Sequence, residues 1–249
     1  MSATAAWPQG YALKNFDEID STNEEARRLA AGGERGSIWL LAARQTAGRG
    51  RRGRAWVSPV GNLSATLLIS PVKPAAECAQ LSFVAAIAAA DAASSFAPQA
   101  EIKVKWPNDI LADGRKLAGI LLESASGADG ALSFLAVGIG MNLAYFPPDT
   151  EFPATSLAAI GIAAPAPSDA LVQLASAFAK WYDLWMTKGF SPIHDAWLAR
   201  AAGLGTRIRA RLTNEETSGV FEGIDNTGAL ILRENAGKTR HISAGEVFF

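Results

Sequence analysis

Two stretches hold most of the residues able to do chemistry. The first, "GRGRRGRAW" at 48–56, sets Arg49, Arg51, Arg52 and Arg54 among Gly48, Gly50 and Gly53 and closes on Trp56. Arginine forks match carboxylate and phosphate oxygens and stay charged at physiological pH. The glycines let the backbone come close to whatever the forks hold. The stretch is not a Walker A loop, which needs G-x-x-x-x-G-K-[ST]. Nor is it a Rossmann turn, because Ser58-Pro59 stands where a helix would have to run. Alone it reads as a solvated turn, a phosphate-backbone contact for nucleic acid, or a loop that orders around a small anion. Ordering one residue costs about 1–2 kcal/mol, and a charge-assisted hydrogen bond contributes about 1.5–3 kcal/mol. With the arginines also repelling one another, the expectation is a loop that is mobile when empty and closes over an anionic ligand.

The second stretch is "KWPNDILADGRKLAGILLE" at 105–123. Pro107 cannot donate to a strand ladder, and Asn108 and Asp109 favour a turn. Asn108 suits a hydrogen bond to a nucleotide or a place near a metal; Asp109 suits a metal or an arginine. Lys116, at the head of an apolar strand, is either a surface lysine or an ammonium aimed at an anion formed during reaction. Gly119, inside that strand, would let a ligand lie against the backbone.

The elements that must position these residues follow from the pattern. Ser21 and Glu24 have capping-box spacing before a helix over 20–34, which Gly32-Gly33 ends. Strands are expected at 37–43, 62–70, 101–106 and 131–143, and a buried helix at 77–96. Asp113-Gly114 between apolar runs predicts a hairpin. Residues 168–200 read as helical, with Pro192 dividing them. After Gly203 the texture changes to short strands separated by "DNTG" and "NAG", a pattern suited to a small SH3-like barrel. The fold class is α+β, a mixed sheet flanked by helices, with units 1–202 and 203–249.

Composition narrows the partners. The 249 residues carry a net charge of −1, so the positive charge is local, and a small anionic ligand is favoured over a polyanion. One cysteine, Cys78, and two histidines, His194 and His241, leave no material for a disulfide or a Cys- or His-based metal site. The first sixteen residues lack the pattern of a secretory signal, and the apolar run near 81–96 is interrupted by Asp91. A cytoplasmic protein with no membrane and no nucleic-acid partner is expected.

Taken together, "DSTNEEA", "RQTAGRGRRGRAWVSP", "KWPNDILADGRKLAGIL" and "VGIGMN" occur in the order and approximate spacing of the biotin protein ligases. The resemblance spans residues 15–145 by motif, with no departure at the core positions, and the tail is similar to that family's C-terminal barrel. It implies a catalytic domain related to class II aminoacyl-tRNA synthetases. That domain would couple biotin to ATP as biotinyl-5′-AMP, with Mg²⁺, and pass biotin to a lysine of a biotin carboxyl carrier protein domain such as that of acetyl-CoA carboxylase. Family members that act as repressors carry an N-terminal helix-turn-helix. The roughly 20 residues before Ser21 are too few for one, so the ligase-only form is expected. The resemblance leaves a homodimer open.

Carried over by position, the resemblance places biotin against Ser21, Thr22, Asn23 and Gln45. Gly48, Arg49, Gly50 and Arg51 would form the covering loop. Lys116 would meet the biotin carboxylate and the reacting phosphate, with Arg51 as its catalytic companion. Arg52, Arg54, Trp56, Asn108 and Asn142 would lie toward the nucleotide, with Arg49, Arg51 and Lys116 shared. Gly119, Leu121 and Gly138 would line the biotin pocket. The rival readings are a lipoate or octanoyl ligase of the same fold, and a nucleic-acid-binding module.

Overall fold

The computed structural model describes residues 5–126, 132–235 and 237–249. The elements in chain order are β1 (Ala12–Ile19), α1 (Thr22–Ala31), β2 (Ile38–Gln45), β3 (Leu63–Ile69), α2 (Ala75–Cys78), α3 (Leu81–Phe96), β4 (Ile102–Lys105), β5 (Asp109–Ala112), β6 (Arg115–Ser126) and β7 (Leu132–Met141). There follow α4 (Pro167–Lys188), α5 (Ser191–Leu198), β8 (Arg207–Arg211), β9 (Glu216–Ile224), β10 (Leu230–Glu234), β11 (Thr239–Ile242) and β12 (Glu246–Phe248). The first seven strands form one sheet in the order β1-β2-β3-β7-β6-β5-β4, and the last five a second in the order β11-β10-β9-β8-β12. Among the ladders between the described strands, β1 with β2 is parallel and the others are antiparallel.

Alternation along the strands decides what each face of the large sheet carries. Trp39 and Leu41 of β2, Leu63, Ala65, Leu67 and Ile69 of β3, and Leu135, Val137, Ile139 and Met141 of β7 point to one side. There α3 and α4 cover them in the main core. The opposite face has a smaller cluster under α1: Ala26 and Ala30 against Leu40, Leu68, Phe134 and Ala136. Further along that face the large residues stop. The α1-side positions become Ser64 and Thr66 on β3 and Gly138 and Gly140 on β7, paired as Ser64 with Gly140 and Thr66 with Gly138. On β6, Gly119 stands opposite Gly140 and Leu121 opposite Gly138. Loss of bulk on three neighbouring strands opens a hollow in an otherwise covered sheet.

The expected hairpin is present: Asp113 (φ 48°) and Gly114 (φ 74°) are both in the left-handed region between β5 and β6. The small sheet docks through Trp106, whose Nε1 donates to the Gly228 carbonyl at 3.0 Å, and its apolar residues Phe221, Leu230, Leu232 and Val247 join the main core.

Two local expectations are corrected, and one strand was not anticipated. Ser21 precedes α1 but makes no side-chain cap among the described residues; its N–H donates to Asp20 Oδ1 at 2.7 Å, and Glu24 pairs with Arg27 and Arg49 in place of reaching back. The break between α4 and α5 falls at Gly189 (φ 74°), and Pro192 sits in the first turn of α5, where its missing N–H costs nothing. The strand β1 carried no signal, since it is a mostly exposed sheet edge on which apolar and charged residues are mixed on both faces, with Phe16 alone packed against the α1-side cluster. Residues 75–96 are apolar and long enough to cross a membrane, yet α3 is buried between the sheet and α4.

Candidate active site

The hollow is a cleft of 430 Å³. One end is neutral and built on α1, β2 and β3. Gln45 ends β2 and points its amide oxygen at Thr22, accepting from the Thr22 backbone N–H (2.8 Å) and meeting its hydroxyl (3.0 Å). The other side of that amide donates to Ser58 Oγ at 2.9 Å, which fixes its orientation. Thr66, fully buried behind the lining, lies 2.7 Å from Thr22 Oγ1 and 2.6 Å from Asn23 Oδ1. Three oxygen–oxygen contacts therefore share two hydroxyl protons. This cluster is short of donors, and a ligand bringing N–H groups supplies what it lacks. The Asn23 amide lies on Gly138, where a Cβ would collide with it.

The other end is charged. Lys116 Nζ contacts Asp109 Oδ1 at 2.6 Å, and Lys105 Nζ lies 3.5 Å from Asp109 Oδ2. Lys105 is 5 % exposed, and burial pushes its ammonium below the usual lysine range, against the pull of Asp109. It sits 3.9 Å from the ring centre of Phe152. Asn108 donates to the Ile120 carbonyl, and Asn142 to that of Thr155 at 3.0 Å. Phe248 and Glu246 reach the lining from β12.

The arginine stretch arches over the cleft as a tight hairpin. Trp56 N–H donates to the Gly48 carbonyl (2.9 Å) and Gly50 N–H to that of Arg54 (2.7 Å), with a single 3₁₀ turn at Arg51–Gly53. A Cβ on Gly48 would strike the Trp56 carbonyl, and one on Gly140 the Trp56 indole, so the hairpin and its tryptophan fit only where glycine stands. Mutual repulsion, assumed from the sequence, is offset. Arg49 pairs with Glu24 at 3.0 Å and Glu123 at 3.6 Å, Arg54 with Glu246 at 2.8 Å, and Arg52 approaches Glu246 at 3.7 Å. Burial pushes the Glu246 carboxyl up, but hydrogen bonds from Arg211 and Arg54 outweigh it and hold it down at about 2. Arg51 reaches neutral acceptors instead, Asn108 Oδ1 at 3.4 Å and the Gly245 carbonyl at 3.3 Å. Burial lowers its guanidinium from the usual arginine range. Long bonds to neutral partners leave the Arg51 fork the readiest of the four for an incoming anion.

Of the residues singled out from sequence, Ser21, Thr22, Asn23, Gln45, Arg49, Gly50, Arg51, Arg54, Trp56, Asn108, Lys116, Gly119, Leu121, Gly138 and Asn142 line this one cleft. Gly48 and Arg52 fall outside the lining and shape the hairpin. Sequence reasoning passed over Thr66, Glu123, Glu246, Phe152 and Phe248. A buried hydroxyl in "NLSATLLIS" was the available signal for Thr66, and Glu123 closes the stretch 105–123 already marked out; Glu246, Phe152 and Phe248 arrive from segments with no local mark.

A neutral, donor-seeking end and a cationic, phosphate-suited end in one lidded cleft define an enzyme that joins a small polar-headed acid to a nucleotide. The chain belongs to the biotin/lipoate A/B protein ligase family, whose model matches residues 17–142, while the biotin protein ligase C-terminal domain model matches 203–249. It is 51 % identical over 237 residues to the biotin–[acetyl-CoA-carboxylase] ligase of Paracoccus denitrificans, covering 92 % of this chain and 97 % of that one. It is 35 % identical to the bifunctional ligase/repressor BirA of Bacillus subtilis, over 94 % of this chain and 73 % of the relative. The biotin protein ligase of Aquifex aeolicus, solved in complex with biotin and ATP, superposes with a TM-score of 0.81 at 26 % identity, covering 95 % of this chain and 97 % of that one.

Proposed function

We propose that this chain is a biotin–[acetyl-CoA-carboxylase] ligase. It activates biotin with ATP to biotinyl-5′-AMP and transfers the biotinyl group to a lysine of a biotin carboxyl carrier protein domain. The observation that carries the reading is the donor-poor cluster of Thr22, Asn23, Gln45 and Thr66 in the same cleft as Lys116 and Arg51. A ureido ring offers two N–H donors to such acceptors; the dithiolane of lipoate offers none. Ser21 and Gly138 border the ring, and Gly119 and Leu121 the chain that leads to the carboxylate.

A carboxylate attacking the α-phosphorus of ATP brings two anions together. Lys116 and Arg51 screen that approach and stabilise charge on the α-phosphate as its bond to pyrophosphate breaks. Lys105, Arg54, Asn108, Trp56 and Asn142 face the nucleotide. Arg49, Gly50 and Arg51 close over the mixed anhydride and keep water from it. In the second step the carrier lysine's amine attacks the acyl carbonyl and AMP leaves. Mg²⁺ fits as a companion of the nucleotide. Both oxygens of Asp109 are engaged by lysines, and no group of three His, Cys, Asp or Glu among the described residues forms a cage. The phosphates would thus supply most ligands, as is usual for this ion, which would neutralise the departing pyrophosphate. The catalytic unit is residues 1–202 and the C-terminal unit 203–249. The proposed compartment is the cytoplasm.

The test is biotin-dependent exchange of pyrophosphate into ATP, alongside calorimetric titration with biotin and with lipoate. Exchange with biotin and heat with biotin alone are expected; heat with lipoate and none with biotin overturns the reading.

A further inference from the structure

We infer that Glu123 is a positioning residue that sets the Asn23 amide for the ligand and ties it to the covering loop. The inference rests on the biotin reading of the cleft and goes one layer behind it. Glu123 lies on β6, two residues beyond Leu121, on the same face of the sheet. Its Oε2 accepts from Asn23 Nδ2 at 2.7 Å. A carboxylate can only accept, so it forces the NH₂ side of the Asn23 amide toward itself and the oxygen toward Thr66 and the cleft. The second amide hydrogen points to the Leu121 carbonyl at 3.4 Å. With both hydrogens directed away, Asn23 presents its oxygen alone. Flipped, it would turn donors toward a ligand that is itself a donor, and the match would be lost.

The other oxygen of the same carboxylate faces the loop: Oε1 lies 3.6 Å from Arg49 Nη2, which also reaches Glu24 Oε2 at 3.0 Å. One side chain therefore touches the group that reads the ligand's polar head and the first arginine of the lid. Glu123 is half-exposed and lies outside the cleft lining, so it acts through Asn23 and Arg49 and not on the reacting atoms.

The two contacts can be separated by substitution. Glu123→Gln keeps an oxygen that accepts from Asn23 but loses the charge facing Arg49. Glu123→Ala loses both. For Glu123→Ala, KM for biotin in the exchange assay is expected to rise about tenfold, the scale of a hydrogen bond to a charged group, with kcat within about twofold of wild type. For Glu123→Gln, KM for biotin should stay within about twofold of wild type. Glu123→Gln should release preformed adenylate about two- to fivefold faster, as expected for losing one of two exposed ion pairs, and Glu123→Ala, which also loses the Asn23 contact, faster still. A Glu123→Ala enzyme with wild-type KM and release rate, or a Glu123→Gln enzyme whose KM rises as far as that of Glu123→Ala, overturns the proposal. A wild-type enzyme with no biotin-dependent exchange overturns the parent reading instead.

Discussion

The two ends of the cleft are held in place by different means. At the neutral end, Thr22, Asn23, Gln45 and Thr66 are bonded to one another on a helix start and two central strands, and three of the four are no more than 5 % exposed. At the charged rim, Arg49, Arg52 and Arg54 lean on Glu24, Glu123 and Glu246 through exposed ion pairs. Buried neutral hydrogen bonds are insensitive to salt and unforgiving of a missing partner; exposed ion pairs are weak and screened. On the proposed function, recognition falls to the rigid end and covering to the adjustable one. Lys116 lies between them, paired to Asp109.

The sharpest test of that division is Lys116→Ala. If Lys116 meets charge developing in the reaction as proposed, its loss should lower the adenylation rate by about 10²–10³-fold, measured by single-turnover formation of biotinyl-5′-AMP. Next comes Thr66→Val, which keeps the shape and removes the buried hydroxyl. Biotin affinity by calorimetry should fall about 10- to 100-fold, and by the same factor at low and high salt; a salt-dependent loss would erase the contrast drawn here. Arg51→Gly should then speed adenylate release about tenfold, the scale of one charge-assisted hydrogen bond. That effect should shrink as salt rises, as retention assays at two ionic strengths will read. The smallest effect concerns Glu246. Its folded pKa of about 2 lies below the ordinary 4.5. The stability it contributes is therefore complete above about pH 4.5 and is lost as pH falls toward 2. Glu246→Gln should lower stability at neutral pH, and acid titration of denaturant midpoints should show a shallower decline below pH 4.5 than in wild type.

The same contrast explains what the sequence made legible. The neutral end was reached through the resemblance, whose motif Ser21-Thr22-Asn23 is consecutive and whose Gln45 ends a strand; the hollow left by small residues at alternate positions of "NLSATLLIS" and "VGIGMN" emerged only when the strands were paired. The Asp113-Gly114 turn was written in short-range pattern. The rim was not. Glu246 and Phe248 reach the cleft from a different sheet, nearly two hundred residues beyond the arginines they face, and no periodicity announces such a meeting. The arginines themselves were visible, but their carboxylate partners were not, so the repulsion inferred from their clustering was too large. Lys105 showed only as an alternating strand residue; its burial depends on Phe152 and Phe248 closing over it.

The paired glycines have one more consequence. Gly119 and Gly140 face each other across β6 and β7, and Ser64 stands opposite Gly140 from β3. The two glycines offer only main chain to the cleft, and the Trp56 indole lies against Gly140. Point mutations can add atoms to a bare backbone but cannot remove any. Engineering and drift alike can therefore narrow the range of ligands accepted here, while a bulkier analogue would have to be accommodated at the lid.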